Sequence, residues 1–146
     1  MTPAKISQDV LSQRALWIRR MIAALRTLPL KDKSVFLKDP NTVAAAESYL
    51  RRALEALFDI GRHILAKKFA YPAAEYEEIA EILYEKKILS EKEKNLLRVL
   101  AGYRNRMVHF YHEITPEELG EICRHQLDDI TSLLDALLKR IKNARD

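Results

Sequence analysis

The sequence predicts an all-α protein, an up-and-down bundle of about five helices that forms one domain over residues 1–146. Good helix formers (Ala, Leu, Glu, Lys and Arg) dominate the long segments, and apolar residues recur at helical spacing. Three glycines and five prolines are too few for the many turns of an all-β fold. With 48% apolar residues, the chain can bury a single core.

The first two helices follow from their apolar spacing and their end signals. A helix is predicted over about 7–28, because Pro29 stops the apolar pattern. A second helix is predicted from about 40 to 68, because Asp39-Pro40 supplies an N-cap followed by a proline at the first helical position. Residues 31–38 fall outside the predicted helices.

Two glycines lie inside predicted helices. Gly61 predicts close packing of the second helix against another helix, and the adjacent Arg62 and His63 are expected to face solvent. Gly102, in the fourth helix, predicts a bend or a second point of close approach.

Three more helices complete the bundle. A short third helix is predicted from Tyr76 to about Glu85. Ser90 and Glu93 have the spacing of a capping box, which predicts the start of a fourth helix. Thr115-Pro116 repeats this cap pattern, and the apolar residues that follow predict one fifth helix that ends among the basic residues near 142.

Charge is distributed unevenly along the chain, which has a net charge of +4. Residues 14–38 contain seven Lys or Arg and one Asp, and residues 86–106 contain seven Lys or Arg and two Glu. Such clusters are compatible with a polyanionic partner such as nucleic acid, and solvated helix faces explain them almost as well.

The sequence also bears on location and on cysteine chemistry. No apolar run approaches the roughly 18 residues that a bilayer span requires, and the N-terminus lacks the apolar stretch of a secretion signal. A cytoplasmic protein that does not enter the membrane is therefore expected. Cys123, the single cysteine, occupies an apolar helical position and is expected to be a core thiol.

The string Arg104-Asn105-Arg106-Met107-Val108-His109-Phe110-Tyr111 is the most informative feature of the sequence. It combines two arginines, an amide, an imidazole and a phenol, which are the side-chain types that act on phosphodiesters. An arginine can hold phosphate oxygens with two parallel hydrogen bonds. A histidine, with an ordinary pKa of about 6.5, can accept or donate a proton near neutral pH.

Helix geometry tests whether these residues can cooperate. On a straight helix, Arg104 and Tyr111 lie within about 20° of each other, whereas Arg104 and His109 are about 140° apart. A straight helix would therefore not bring Arg104 and His109 to one phosphate. Either the arginine swings round, or the helix distorts near Gly102 or past Val108, or a second subunit completes the site.

Metal and nucleotide-loop chemistry are not expected. His109 and His112 are three residues apart, whereas the two-histidine zinc motif needs a spacing of four with a glutamate between; Glu113 lies beyond the pair. The sequence has no glycine-rich phosphate loop, and no serine or cysteine lies in a nucleophile motif. Neither a metal nor a cofactor is predicted.

The motif resembles that of the HEPN domain family, and within it the HepT-like toxins of toxin-antitoxin pairs. The matching residues are Arg104-Asn105-x-x-x-His109-x-Tyr111, late in the fourth predicted helix. Residues 36–42, leading into residues 53–61, are also similar to the start of the family's second helix. The resemblance covers most of the chain.

The resemblance implies a dimeric helical bundle that is a metal-independent endoribonuclease. Arg104 would hold the scissile phosphate, His109 would act as general acid or base, and Asn105 would orient the pair. The partners implied are RNA and a minimal, MntA-like nucleotidyltransferase antitoxin. That enzyme would add AMP to Tyr111, and the added phosphate charge would block RNA.

Two departures from the family pattern leave alternatives open. Arg106 lies inside the motif and His112 follows it, so both are supporting candidates and either His109 or His112 could be the acid-base group. A noncatalytic HEPN subunit that binds a nucleotide or the transferase is one alternative function. The other is a structural dimerisation domain, with His109 packed and Arg104 bridged to a glutamate of the predicted third helix.

Overall fold

The computed structural model describes residues 5–109 and 113–143, and these residues form seven helices and no strand. The predicted all-helical class is confirmed. The helices are α1 (Gln8–Arg26), α2 (Lys33–Lys38), α3 (Pro40–Phe69), α4 (Tyr76–Glu85), α5 (Glu91–Val108), α6 (Pro116–His125) and α7 (Leu127–Asn143).

The prediction of about five helices missed two features. The short helix α2 begins after Asp32, whose carboxylate accepts hydrogen bonds from the backbone of Ser34 and Val35, and Phe36 anchors it in the core. The predicted fifth helix is divided into α6 and α7 at Gln126, whose φ of −121° departs from helical geometry. Because apolar spacing continues across this residue, periodicity alone did not reveal the break.

The predicted helix starts are confirmed. The Asp39 side chain accepts a hydrogen bond from the backbone of Asn41, at the start of α3. Ser90 and Glu93 form the reciprocal capping box of α5, with distances of 3.1 and 2.9 Å between side-chain oxygen and backbone nitrogen. The Thr115 hydroxyl caps α6 by accepting a hydrogen bond from the backbone N–H of Glu118 at 3.1 Å.

Helix α3 organises the bundle, because its 30 residues contact each of the other six described helices. One hydrophobic core runs from Leu11 to Ile141. Cys123 lies inside this core, and burial raises the pKa of its thiol to about 12, which confirms the predicted core thiol. No helix in the described part of the chain is long and apolar enough to cross a membrane.

The two helical glycines differ in their surroundings. A Cβ atom on Gly61 would lie 2.8 Å from Cγ2 of Ile79 in α4, so the predicted close contact is confirmed. A Cβ atom on Gly102 would meet no heavy atom within 4 Å among the described residues, and α5 continues through this position. The close approach predicted at Gly102 is therefore wrong.

The predicted solvent-facing pair, Arg62 and His63, is instead partly buried. His63 Nε2 accepts a hydrogen bond from the backbone of Ser7, the N-cap of α1, at 3.1 Å. Burial lowers the pKa of His63, and the nearby charges of Lys67 and Arg14 lower it further. His63 therefore acts as a neutral acceptor that ties α1 to α3.

Alanine substitution at the two glycines should have opposite effects on the stability of the fold. Gly61→Ala should destabilise the fold by about 1–3 kcal/mol, because the β-branched Ile79 is fully buried and has little freedom to move. Gly102→Ala should stabilise it by up to about 1 kcal/mol, because alanine is the better helix former and has room. Urea unfolding of both variants measures the difference. A Gly61→Ala variant as stable as the wild type would contradict the close α3–α4 contact.

Candidate active site

The end of helix α5 determines how the motif residues are arranged. The helix stops at Val108, and His109 adopts an extended conformation with φ −94° and ψ 120°. The His109 backbone N–H still donates to the Asn105 carbonyl at 3.0 Å. Of the arrangements left open by the sequence, the structure shows distortion past Val108. As a result, Arg104, Asn105 and His109 line the same pocket of one chain.

This pocket has a volume of about 740 Å³ and lies between three helices. We call this cavity the motif pocket, and we call the side formed by Arg104, Asn105 and His109 its motif wall. Helix α3 supplies Arg62, and residues 74–77 at the start of α4 complete the lining. His109 is exposed to solvent, so its imidazole is accessible to a ligand.

Arg104 is held in place by Glu55 of α3. Its Nε and Nη2 atoms donate to the same Glu55 oxygen at 3.1 and 2.8 Å. The other Glu55 oxygen accepts from Arg51 at 3.2 Å. Only two of the five guanidinium N–H donors are used by Glu55, which leaves three without a partner among the described residues. Arg104 is therefore fixed yet still able to bind an anion.

The ring of Tyr76 packs against the guanidinium group of Arg104. The Arg104 guanidinium carbon lies 4.6 Å from the centre of the Tyr76 ring, which stacks on the buried Phe58 at a centroid distance of 4.5 Å. Arg62 lies over the ring as well, at 5.6 Å. Burial raises the pKa of the Tyr76 phenol, although the charge of Arg104 opposes this shift. Tyr76 therefore links the pocket to the core as a neutral platform.

Asn105 connects α5 to α4. Its side-chain nitrogen donates to Glu77 Oε1 at 2.7 Å, and Glu77 lies in the first turn of α4. This hydrogen bond fixes the orientation of the amide, so that its carbonyl oxygen and nitrogen occupy known positions on the pocket wall.

The Arg106 side chain does not contribute to the motif pocket. It lies about 200° round the helix from Arg104 and is absent from the pocket lining. Its two terminal nitrogens donate to the two oxygens of Glu118 in α6 at 2.7 and 2.6 Å. This pairing lowers the pKa of Glu118 and raises that of Arg106. The pair joins the end of α5 to the start of α6 across the segment that carries Tyr111 and His112, two residues that lie outside the described part of the chain.

Sequence reasoning missed the residues that position the motif. Glu55 and Tyr76 are 49 and 28 residues away from Arg104 along the chain, and neither belongs to a recognisable motif. Glu77 belongs to a run of glutamates with the spacing of an ordinary solvated helix face (Glu77, Glu78, Glu81 and Glu85), yet its carboxylate accepts a hydrogen bond from Asn105. No local signal in the sequence distinguishes these residues from ordinary surface or core positions.

The described residues contain no group of three or more His, Cys, Asp or Glu side chains arranged to hold a metal ion. Apart from Ala74, the side chains that line this motif pocket are cationic, amide, phenolic and carboxylic groups with one imidazole. The chemistry available there is anion binding by arginine and proton transfer by histidine.

Comparison with protein families identifies the chain. The sequence model described as "Ribonuclease HepT-like" matches residues 18–137. The chain belongs to the HepT-like ribonuclease family. This confirms the resemblance that the motif indicated. A relative, the mRNA nuclease HepT of Shewanella oneidensis, is 23% identical over 130 residues, which are 88% of this chain and 96% of that protein.

Solved structures share the fold. The tri-AMPylated Shewanella oneidensis HEPN toxin, in complex with an MNT antitoxin, matches with a TM-score of 0.82 at 22% identity, over 91% of this chain and 99% of the toxin. YutE of Bacillus subtilis, described as a cytosolic protein of unknown function, matches with a TM-score of 0.79 at 16% identity, over 96% of this chain and 94% of YutE. At these identities the likeness establishes a common helical architecture.

Proposed function

We propose that this chain is a metal-independent endoribonuclease toxin that acts in the cytoplasm and is neutralised by an MNT-type nucleotidyltransferase antitoxin. Membership of the HepT-like ribonuclease family supports this function, as does the relative named as an mRNA nuclease. The cytosolic description of YutE fits the location. The observation that carries the proposal is the end of α5 at Val108, which leaves Arg104, Asn105 and His109 on one pocket wall.

Arg104 is proposed to hold the scissile phosphate. Its position is fixed by Glu55 and Tyr76 before any ligand binds, so little side-chain entropy is lost on binding. The three remaining N–H donors suit the two non-bridging phosphate oxygens. In the transition state, where negative charge increases on these oxygens, the same donors would stabilise it.

His109 is proposed to transfer the proton. As a base, its imidazole accepts the proton of the ribose 2′-hydroxyl, whose oxygen then forms a bond to phosphorus. The bond from phosphorus to the 5′-oxygen breaks, and this oxygen takes up a proton, so that a 2′,3′-cyclic phosphate and a 5′-hydroxyl result. As an acid, His109 would instead protonate the leaving 5′-oxygen. Either assignment requires the 2′-hydroxyl and no metal.

Asn105 is proposed to orient the phosphate against His109. Its amide is fixed by Glu77, and its carbonyl oxygen and remaining N–H can hydrogen-bond the ribose or the phosphate. Arg106 is proposed to act indirectly, since its pairing with Glu118 holds the two ends of the segment that follows the motif.

A noncatalytic subunit that binds a nucleotide is the second candidate. The pocket of about 740 Å³ falls in the range typical of small-molecule sites, and it offers both arginine and aromatic groups. The purely structural alternative fits less well. Arg104 is bridged to a glutamate, but it is one on the long α3 helix, and His109 is exposed where that alternative requires it to be packed.

We also propose that the protein is a homodimer, as the family resemblance implies. One sequence-based reason for a dimer no longer applies, because His109 leaves the helix and reaches the same pocket as Arg104 within one chain. A dimer would then serve to place two such pockets around a common cleft and to supply a second acid-base histidine.

Purified protein should cleave single-stranded RNA, and Arg104→Ala and His109→Ala should each reduce the rate by about 10²- to 10⁴-fold while the fold is retained. Circular dichroism checks the fold, and gel analysis of labelled RNA measures the rate. Arg98→Ala, on the exposed face of α5, and His125→Ala, an exposed histidine of α6, are the matched controls and should keep the activity.

Chelation by EDTA should leave the cleavage rate unchanged, because the proposed reaction uses no metal. Full activity of the His109→Ala variant would refute the assignment of His109. If only the His112→Ala variant lost activity, His112 would be assigned as the acid-base group in place of His109. A wild-type protein that binds a nucleotide and leaves RNA intact would favour the noncatalytic candidate.

Tyr111 is proposed as the site of AMP addition by the antitoxin. The proposal rests on the family motif and on the AMPylated state of the similar Shewanella toxin. An added AMP phosphate would lie two residues from His109 and could pair with Arg104, occupying the donors that hold RNA.

Mass spectrometry of the chain co-produced with its transferase and ATP should find AMP on the peptide that contains Tyr111. The Tyr111→Phe variant should stay toxic and escape neutralisation, whereas a Tyr84→Phe control, at an exposed tyrosine of α4, should be neutralised normally. A neutralised complex with unmodified Tyr111 would indicate that the antitoxin works by covering the site.

A further inference from the structure

A second cavity lies between α1 and α3, beside the motif pocket. This α1–α3 groove has a volume of about 320 Å³ and is lined by Arg14 and Trp17 of α1 and by Arg52, Glu55, Ala56 and Asp59 of α3. Trp17 is 39% exposed although its neighbour Ile18 is fully buried. Tryptophan side chains are highly buried on average, so an indole exposed to this extent in a charged groove is accessible to a ligand.

The groove and the motif pocket share a wall. Glu55 lines the groove and holds Arg104 of the motif pocket at 2.8 Å. Asp59 also lines the groove and pairs with Arg62 of the motif pocket at 3.3 Å. Two carboxylates on successive turns of α3 therefore separate the two cavities. A polymer bound in one cavity could continue into the other.

Two arginines and two carboxylates line the groove, and each carboxylate is already paired with two arginines, so the donors still available there belong to the arginines. Arg52 is exposed and has no carboxylate partner in the described part of the chain, and Arg14 is only loosely paired with Asp59, at 3.7 Å. The remaining charged groups form a network of two separate sets of ion pairs along α3, and the set that contains Glu55 includes the motif arginine. The network and the groove together contain five arginines and three carboxylates: Arg14, Arg51, Arg52, Arg62, Arg104, Glu47, Glu55 and Asp59.

We propose that the α1–α3 groove binds a nucleotide of single-stranded RNA that flanks the cleaved phosphodiester. The base stacks on the Trp17 indole, and the adjoining phosphate pairs with Arg52 and Arg14. An aromatic side chain beside arginines is the arrangement by which proteins hold single strands without base preference. The inference rests on the proposed ribonuclease function, and it adds a binding subsite outside the motif.

The lining of the groove favours RNA over a protein partner. Three of its six lining residues, Glu55, Ala56 and Asp59, are of types that are depleted at protein interfaces. Tryptophan is common at protein interfaces too, but there it lies in a well-packed pocket from which the surrounding contacts exclude water. A flexible polyanion can satisfy Arg52 and stack on Trp17 at once.

The single tryptophan of the chain makes the subsite directly measurable. The His109→Ala variant, which should bind RNA without cleaving it, is titrated with single-stranded RNA while the intrinsic fluorescence is recorded. Base stacking on Trp17 should quench the fluorescence in a saturable manner. Arg52→Ala should weaken this binding, and Lys139→Ala, at an exposed lysine of α7, should leave it unchanged.

Cleavage kinetics give an independent readout. Trp17→Leu should raise KM for an oligonucleotide by about 5- to 150-fold with kcat little changed, which is the range expected for loss of one base–aromatic stack. Tyr84→Leu is the matched control, because Tyr84 of α4 is a 38% exposed aromatic residue outside the groove, and its KM should equal that of the wild type.

The outcomes separate this inference from the proposed function. If the wild type cleaves RNA but Trp17 is not quenched, or Trp17→Leu leaves KM unchanged, the subsite is refuted and the ribonuclease function stands. If Trp17→Leu converts a dimer into a monomer in size-exclusion chromatography, the groove is an interface between copies and the subsite is likewise refuted. If the wild type neither binds nor cleaves RNA, the proposed function itself has failed.

Discussion

Glu55 accepts two hydrogen bonds from Arg104, and the arrangement of the motif pocket depends on this contact. Arginine has a long side chain with several rotatable bonds, so an unrestrained Arg104 would sample many positions and lose conformational entropy on binding phosphate. Glu55 removes that freedom in advance, and the stacked pair of Tyr76 and Phe58 supports the guanidinium from the core side. Because Glu55 sits on α3, the helix that contacts every other described helix, the site is anchored to the most constrained part of the fold.

The end of α5 is the second constraint. A continuous helix would place His109 about 140° from Arg104, which is too far round for both to act on one phosphate. Termination at Val108 lets His109 extend into the pocket, while Arg106 turns away and fixes the start of α6 through Glu118. The motif is therefore divided between two tasks. Arg104, Asn105 and His109 line the cavity, and Arg106 joins the end of α5 to the start of α6.

Local signals in the sequence predicted most of the fold. Asp39, Ser90 and Thr115 mark helix starts because capping depends on residues two or three positions apart, and Gly61 marks a close helix contact because a Cβ atom there would lie 2.8 Å from Ile79. The break at Gln126 was not predicted, because the apolar spacing continues across this residue.

The candidate site was predictable only in part. Arg104 and His109 were recognisable from their spacing, since the motif is contiguous in sequence. Glu55, Tyr76 and Glu77 were not, because they reach the motif through tertiary packing of α3 and α4 against α5. An exposed carboxylate and a pocket carboxylate have the same local sequence pattern, and only the three-dimensional packing separates them.

The central claim is that the motif wall cleaves RNA by acid-base chemistry through the 2′-hydroxyl. Analysis of the ends of RNA fragments produced by the purified protein in EDTA tests it most directly. We expect a 2′,3′-cyclic phosphate on one fragment and a 5′-hydroxyl on the other, and no cleavage where a single 2′-deoxy nucleotide replaces the ribose at the cut site. Fragments with 5′-phosphate ends, or unchanged cleavage at the 2′-deoxy position, would contradict the claim.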